Sequence, residues 1–340
     1  MLRVFKNNAL GAARSLGLFA LVARSRWRRE RLLILCYHGL SLKDEHEWRG
    51  LFVTPAFFRR RLQILARLRY RVLPLSEAVR MLGQGTLPPK SVAITFDDGF
   101  QDFHQAAFPL LGEFGFPATV YQTTYYSNHP FPIFNLVLSY LFWRGRGRCL
   151  DGAACGVPGR FELVGEAECG RAAEAFLEFA IERDLTPAQK DELAARVAAA
   201  LGVDYPEILR LRMLQLMTGP QISQIAAAGI DVQLHTHRHR TPLDERLFVR
   251  EIRDNREWLA PWTGTQPEHF CYPSGQHRPE FLPWLRAERV VSATTCEYGL
   301  ATRATEPLLL PRLLDSMAVT EADFEGWLAG VSSWLPHRPA

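Results

Sequence analysis

The stretch SVAITFDDGF, residues 91–100, runs a short apolar segment directly into two adjacent acids and a glycine. Val92 to Phe96 has no helical period, and a continuous run of this length closed by a turn signal suits a strand buried on both faces. Strands of that kind build parallel sheets and barrels, whose functional groups sit on loops leaving the carboxyl ends. Asp97 and Asp98 then stand at a functional edge. On the plainer reading they only cap the turn at Gly99.

Outward from this strand, strand and helix patterns alternate. Before it come the apolar run Leu32 to Tyr37, ending at His38-Gly39, and a helix opened by Thr54-Pro55. A short strand at 70–73 and a helix from Ser76 to Gly83 follow. After it come a helix over 103–114 and a strand over 118–121. Between 126 and 217 the rhythm breaks, and helical patterns over 134–143, 166–183 and 186–201 take its place. The last has Thr186 as cap, Pro187 at its first position and Gln189 closing a capping box. The rhythm resumes with a helix at 220–228 and strands at 230–234, 269–272, 290–293 and 308–310. Helices at 244–259 and 279–286 separate them, and one starting near Thr320 closes the chain. This order predicts an α/β fold of mostly parallel strands with a helical insertion at 126–217.

Composition narrows the classes. With 340 residues and 47% hydrophobic content the chain can bury a large core. It holds no apolar run of about 18 residues, the length a spanning helix needs. The net charge of +4 is uneven: residues 1–31 carry eight Lys/Arg against one Glu, so the remaining 32–340 sum to −3. The body therefore gives no reason to invoke nucleic acid. Residues 1–31 read as a basic amphipathic segment. It is packed on the domain, or laid on an acidic membrane surface with Phe5, Leu16, Phe19 and Leu21 as anchors, or a cleaved signal. Six cysteines without a CxxC pair point to reduced thiols and a cytoplasmic setting, with peripheral contact at the inner membrane face as the extension.

Three predicted strands end in residues that can do chemistry: Asp97-Asp98-Gly99, His235-Thr236-His237-Arg238-His239, and Tyr272-Pro273-Ser274-Gly275. Two imidazoles and a carboxylate make an open divalent-metal site, leaving positions for water and substrate. A turn after the strand puts His235 and His239 together, as Thr241-Pro242 suggests; an extended segment would align His235, His237 and His239 instead. One carboxylate of the acidic pair can then hold the metal while its neighbour takes a proton from water.

These motifs, TFDDGF and then HTHRH, with FCYPSG as a looser third, resemble those of the polysaccharide deacetylases, the NodB homology domain among carbohydrate esterases. The resemblance spans roughly residues 33–315 apart from the insertion. It implies a distorted (β/α) barrel over 32–340, with Asp97 as general base and Asp98, His235 and His239 as ligands of a divalent cation, usually zinc. Two features depart from the family. Many members carry, in the third motif, an arginine that orients the base, and Cys271 stands at the corresponding position here. The late histidine that serves as general acid is replaced by LLLPRLLD. The chain is closer to members with a Tyr-Pro-x-Gly version, in which Tyr272 and Pro273 to Gly275 line the pocket. His38 and Arg312 are added as substrate contacts.

The expected activity is removal of an N-acetyl or O-acetyl group from a sugar of a polysaccharide, glycolipid or cell-envelope precursor. The alternatives are a barrel that binds glycan without turning it over, and a non-haem iron oxygenase, which also uses two histidines and a carboxylate. Tyr125, Tyr126, Phe131, Phe134 and Trp143 in the insertion are read first as core, with sugar stacking as the alternative.

Overall fold

The computed structural model describes residues 10–335. Seven parallel strands close into a barrel in chain order: β1 (Arg31–Tyr37), β2 (Ser91–Phe96), β3 (Thr119–Gln122), β4 (Asp231–Leu234), β5 (His269–Cys271), β6 (Ser292–Tyr298) and β7 (Leu310–Leu314). Closure is made by β1, which pairs with β2 from Leu33↔Val92 to Tyr37↔Phe96 and with β7 at Leu35↔Leu313. Every residue of β2 is buried, as its unbroken apolar pattern requires. The distorted (β/α) barrel expected from the sequence is the observed fold.

Alternation along the strands sorts side chains between two environments. Leu33, Leu35, Val92, Ile94, Val120, Phe270 and Leu313 join the large cluster shared with the outer helices. Leu32, Ile34, Ala93, Tyr121, Cys271 and Leu310 form a smaller one, closed by Leu75, Ala78 and Leu82 from the connection between β1 and β2. Continuing that second face by two residues per step gives Cys36, Thr95 and then Asp97, and Arg312 on β7. Polar groups thus follow apolar ones along the inner face towards the carboxyl ends of the strands.

The outer layer includes α1 (Pro55–Arg67), capped by Thr54, and α2 (Leu75–Gln84) between β1 and β2. Between β2 and β3, α3 (Phe108–Phe114) continues a π-helical turn over Phe103–Ala107. From α1, Arg61 reaches Asp315 at the end of β7, an ion pair sealed from solvent.

The stretch between β3 and β4 is mainly helical: α4 (Phe134–Arg144), α5 (Glu166–Glu182), α6 (Pro187–Ala200), α7 (Tyr205–Leu211) and α8 (Gly219–Ala227). Thr186 and Gln189 form the expected capping box on α6. A short antiparallel hairpin, Cys149–Asp151 with Arg160–Glu162, was not foreseen. α4 to α7 share a core of their own, joined to the barrel rim through Phe52 and Phe100. After β4 and β5 come α9 (Glu245–Thr263) and α10 (Phe281–Ala287), and α11 (Glu321–Ala329) is followed by a 3-10 turn over Val331–Trp334.

Part of the basic N-terminus is packed on the barrel. Leu10, Phe19 and Ala23 bury against Ala329, and buried Arg28 donates to the carbonyls of Leu328 and Arg31. Of the proposed surface anchors, Leu16 and Leu21 are exposed (76% and 67%), Phe19 is buried, and Phe5 lies outside the described residues. No helix among the described residues is long and apolar enough to cross a membrane, and the six cysteines are free thiols.

Candidate active site

The adjacent acids diverge because Asp98 adopts a left-handed backbone (φ 68°), which a non-glycine residue takes only under constraint. Gly99 follows at φ 78°, and a Cβ there would lie 1.9 Å from Gln122 Oε1, so no side chain fits. The turn is tied down by Met217, whose N–H donates to the Gly99 carbonyl, and by Gln101, which donates to Gln215. Asp97 consequently points to the barrel interior and Asp98 to the loop after β4.

On that loop Thr236 and His239 also have positive φ, 62° and 53°. These two bends place His235 Nε2 and His239 Nε2 each 3.1 Å from Asp98 Oδ1. His237 turns away, its Nδ1 2.8 Å from Thr124 Oγ1. Two buried residues of α9, one helical turn apart, hold the loop. Asn255 accepts from His235 N and donates to Gln122 O, while Glu251 accepts from Arg238 N and from the Arg238 and Arg240 guanidiniums.

His235 Nδ1 is 2.8 Å from the Cys271 carbonyl, so that nitrogen carries the proton. In neutral His235, Nε2 is then a bare lone pair aimed at a carboxylate oxygen, an arrangement that needs a shared proton or a cation. Asp98, His235 and His239 present ligand atoms within 4.8 Å of one another. A neutral-imidazole, carboxylate donor set of three fits a divalent ion of the zinc type and leaves coordination positions open.

Asp97 is only 2% exposed and is gripped by Arg312, whose two terminal nitrogens each donate to one carboxylate oxygen at 2.7 Å. Burial pushes the Asp97 carboxyl up, but the guanidinium, through charge and hydrogen bonds, more than reverses this and holds it far below the usual range. The thiols of Cys36 and Cys271 lie 3.5 and 3.4 Å from Asp97 Oδ2. Burial raises both, which favours the protonated thiols beside this carboxylate. Cys36, His38 and Asp97 also form a group within metal-binding reach. Arg312 on both carboxylate oxygens makes that second position hostile to a cation.

The arginine absent from the third motif is therefore supplied by β7. The reading of Arg312 as a substrate contact is corrected: it is 1% exposed and fully engaged with Asp97, Thr95 and the Thr295 carbonyl. Tyr272 and Ser274 line the cavity over the acids, whereas Pro273 and Gly275 do not. The Tyr272 hydroxyl is spent on the Leu308 carbonyl, and Gly275 instead gives Cys296 room to approach. His38 lines the cavity with its Nε2 3.8 Å from Asp97 Oδ2. The cavity, about 600 Å³, is completed by Trp48, Leu51 and Phe52 on one side and Tyr126, Asn135 and Leu136 on the other.

Comparisons with known proteins follow this geometry. The sequence profile of the polysaccharide deacetylase family matches residues 84–138 and 210–288, which carry both acids and both histidines and skip most of the insertion. Bacillus subtilis YxkH, named for that family, is 37% identical over 92 residues, 27% of this chain and 31% of its own length. A poly-β-1,6-N-acetyl-D-glucosamine N-deacetylase of Staphylococcus epidermidis is 29% identical over 110 residues, 29% of this chain and 38% of its own. The chain thus covers about a third of the length of these curated relatives. Among solved structures, the Streptococcus pyogenes deacetylase PplD superposes with a TM-score of 0.57 at 18% identity, covering 85% of this chain and 94% of that one. IcaB from Ammonifex degensii gives 0.55 at 18%, covering 89% and 97%. At such identities these likenesses speak for the fold. The two matched segments, which hold the acids and the histidines at the ends of β2 and β4, make this chain similar to the polysaccharide deacetylase family.

Proposed function

We propose that the protein is a metal-dependent hydrolase that removes the acetyl group from an N-acetylated sugar of a glycan. The observation that carries the reading is the divergence of Asp97 and Asp98, one to a buried arginine and the other to a histidine pair. The test is acetate release by zinc-loaded protein from N-acetylglucosamine oligomers, the sugar named in the relatives. No acetate from any N-acetylated glycan, glycolipid or nucleotide sugar would sink it.

Asp98, His235 and His239 would hold the cation. Its contribution when bound is to polarise the acetyl carbonyl and to make a water acidic enough to lose a proton near neutral pH. Asp97 is the group set to accept that proton: it lies one residue from a ligand and stays ionised because of Arg312. As the C–N bond breaks, the sugar nitrogen must gain a proton. His38 is placed to give it. Burial lowers its pKa, so the ring is neutral, and its Nδ1 is enclosed with no partner. Its Nε2 faces the cavity 3.8 Å from Asp97 Oδ2, so the proton that Asp97 takes from water can pass to it, and the imidazolium so formed gives that proton to the leaving nitrogen. The products are acetate and a free amino sugar.

Two expected results follow from these roles. Asp98→Ala and His239→Ala purify without stoichiometric zinc by elemental analysis, while His237→Ala retains it. Loss of zinc in the last would reinstate the extended arrangement of the histidines. His38→Gln lowers the turnover of an N-acetyl sugar by about 100-fold with zinc content unchanged. It affects 4-nitrophenyl acetate far less, because that leaving group departs without a proton. Equal losses on the two substrates would remove His38 as proton donor.

A further inference from the structure

Next to the cavity over the acids lies a second, of about 340 Å³, between the 125–135 loop and the insertion helices. Tyr126 and Asn135 line both cavities, so a ligand extending out of the first enters the second across those two side chains. The far wall is one face of α6: Pro187, Lys190, Asp191 and Ala194 stand at positions i, i+3, i+4 and i+7. Opposite it the aromatic rings cluster, Tyr125 with Tyr126 at 4.9 Å and with His129 at 5.4 Å between centroids. Tyr125 is 41% exposed, its ring not used up by core packing.

The lining pairs flat rings, suited to the C–H face of a pyranose, with compact polar groups for its hydroxyls. Asp191 is fixed by the Tyr205 hydroxyl, which donates to Oδ1 at 2.5 Å and leaves Oδ2 to accept from a ligand. Lys190 beside it balances the charge, so the site is matched to an uncharged polyol rather than to an ion. Concave volume, apolar walls and a few convergent polar groups are what small-ligand sites share. The α6 wall falls within 139–209, the stretch the family profile does not match.

We propose that this cavity is a second sugar site, seating the residue adjacent in the glycan to the one whose acetyl group is removed. The insertion then reads chain length, and the preferred substrate is an oligomer rather than a single sugar. This rests on the glycan-deacetylase reading above.

The test is calorimetric titration of zinc-loaded, full-length His38→Gln protein, slowed in turnover, with N-acetylglucosamine and with its β-1,6- and β-1,4-linked tetramers. One tetramer is expected to bind about tenfold more tightly than the monomer. Adding Tyr125→Ala or Lys190→Ala, both at the cavity surface, should weaken tetramer binding about fivefold and leave monomer binding unchanged. No tetramer outbinding the monomer, or tetramer affinity untouched by both substitutions, overturns the proposal. Acetate release by the wild type without any chain-length preference would leave the deacetylase reading standing and count against this site. Tight tetramer binding lost in the two variants would support it even if no acetate were released.

Discussion

Asp97→Asn is expected to reduce acetate release about 10⁴-fold, the upper end of what a positioned acid or base contributes, with zinc still bound at the wild-type level. Asparagine keeps the shape of the side chain but cannot accept a proton from water, so the loss should fall on kcat rather than KM. Zinc should be retained because the proposed ligand is Asp98, whose carboxylate turns the other way at the left-handed bend. The variant should also unfold more easily, since Arg312 is left as a buried cation facing an amide. Circular dichroism at the assay temperature separates inactivity from unfolding. A folded, zinc-bound Asp97→Asn protein that turned over as fast as wild type would exclude Asp97 as the base.

The barrel, the acids and the histidine pair were legible because they follow from local chemistry. β2 is buried throughout, which leaves an unbroken apolar run in the sequence, and two imidazoles beside a turn signal have few structural uses. Arg312 was visible but misassigned. Pro311 cut the expected strand at 308–310, whereas β7 runs Leu310–Leu314, with Pro311 tolerated where the β6–β7 register shifts between Thr294 and Tyr298. Without that strand there was no reason to turn residue 312 inwards. β6 itself extends to Tyr298, beyond the expected 293, because polar Thr294, Thr295 and Cys296 replace the apolar signal as the strand nears the site. Asn255 and Glu251 had only a faint signal. They are polar residues one turn apart, Asn255 three residues after Ile252, on a helix whose apolar face is otherwise regular. What they clamp is supplied by distant parts of the chain, so no local pattern could assign them.

Arg312→Met should cost about 3–5 kcal/mol of stability at neutral pH, the range for breaking a buried pair by removing one partner. Methionine can fill much of the arginine stem, so the loss reports the stranded Asp97 carboxylate more than a cavity. The pH dependence follows from the two folded-state shifts. In wild type the Asp97 carboxyl is held below its unfolded value, so the pair stabilises fully above about pH 4 and this contribution fades as pH falls towards the folded pKa. In the variant burial is opposed only by the weaker pull of His38 and His235, so the folded pKa rises, and the penalty is present at neutral pH and relieved by acid. The gap between the two proteins in urea unfolding should therefore narrow from pH 7 to pH 4. Combining Arg312→Met with Asp97→Asn removes both charges and should recover most of the stability while leaving the protein inactive, which distinguishes the ion pair's structural role from Asp97's chemical one. If Arg312→Met unfolded at the wild-type urea concentration at pH 7, the bidentate contact would not be holding the base in place.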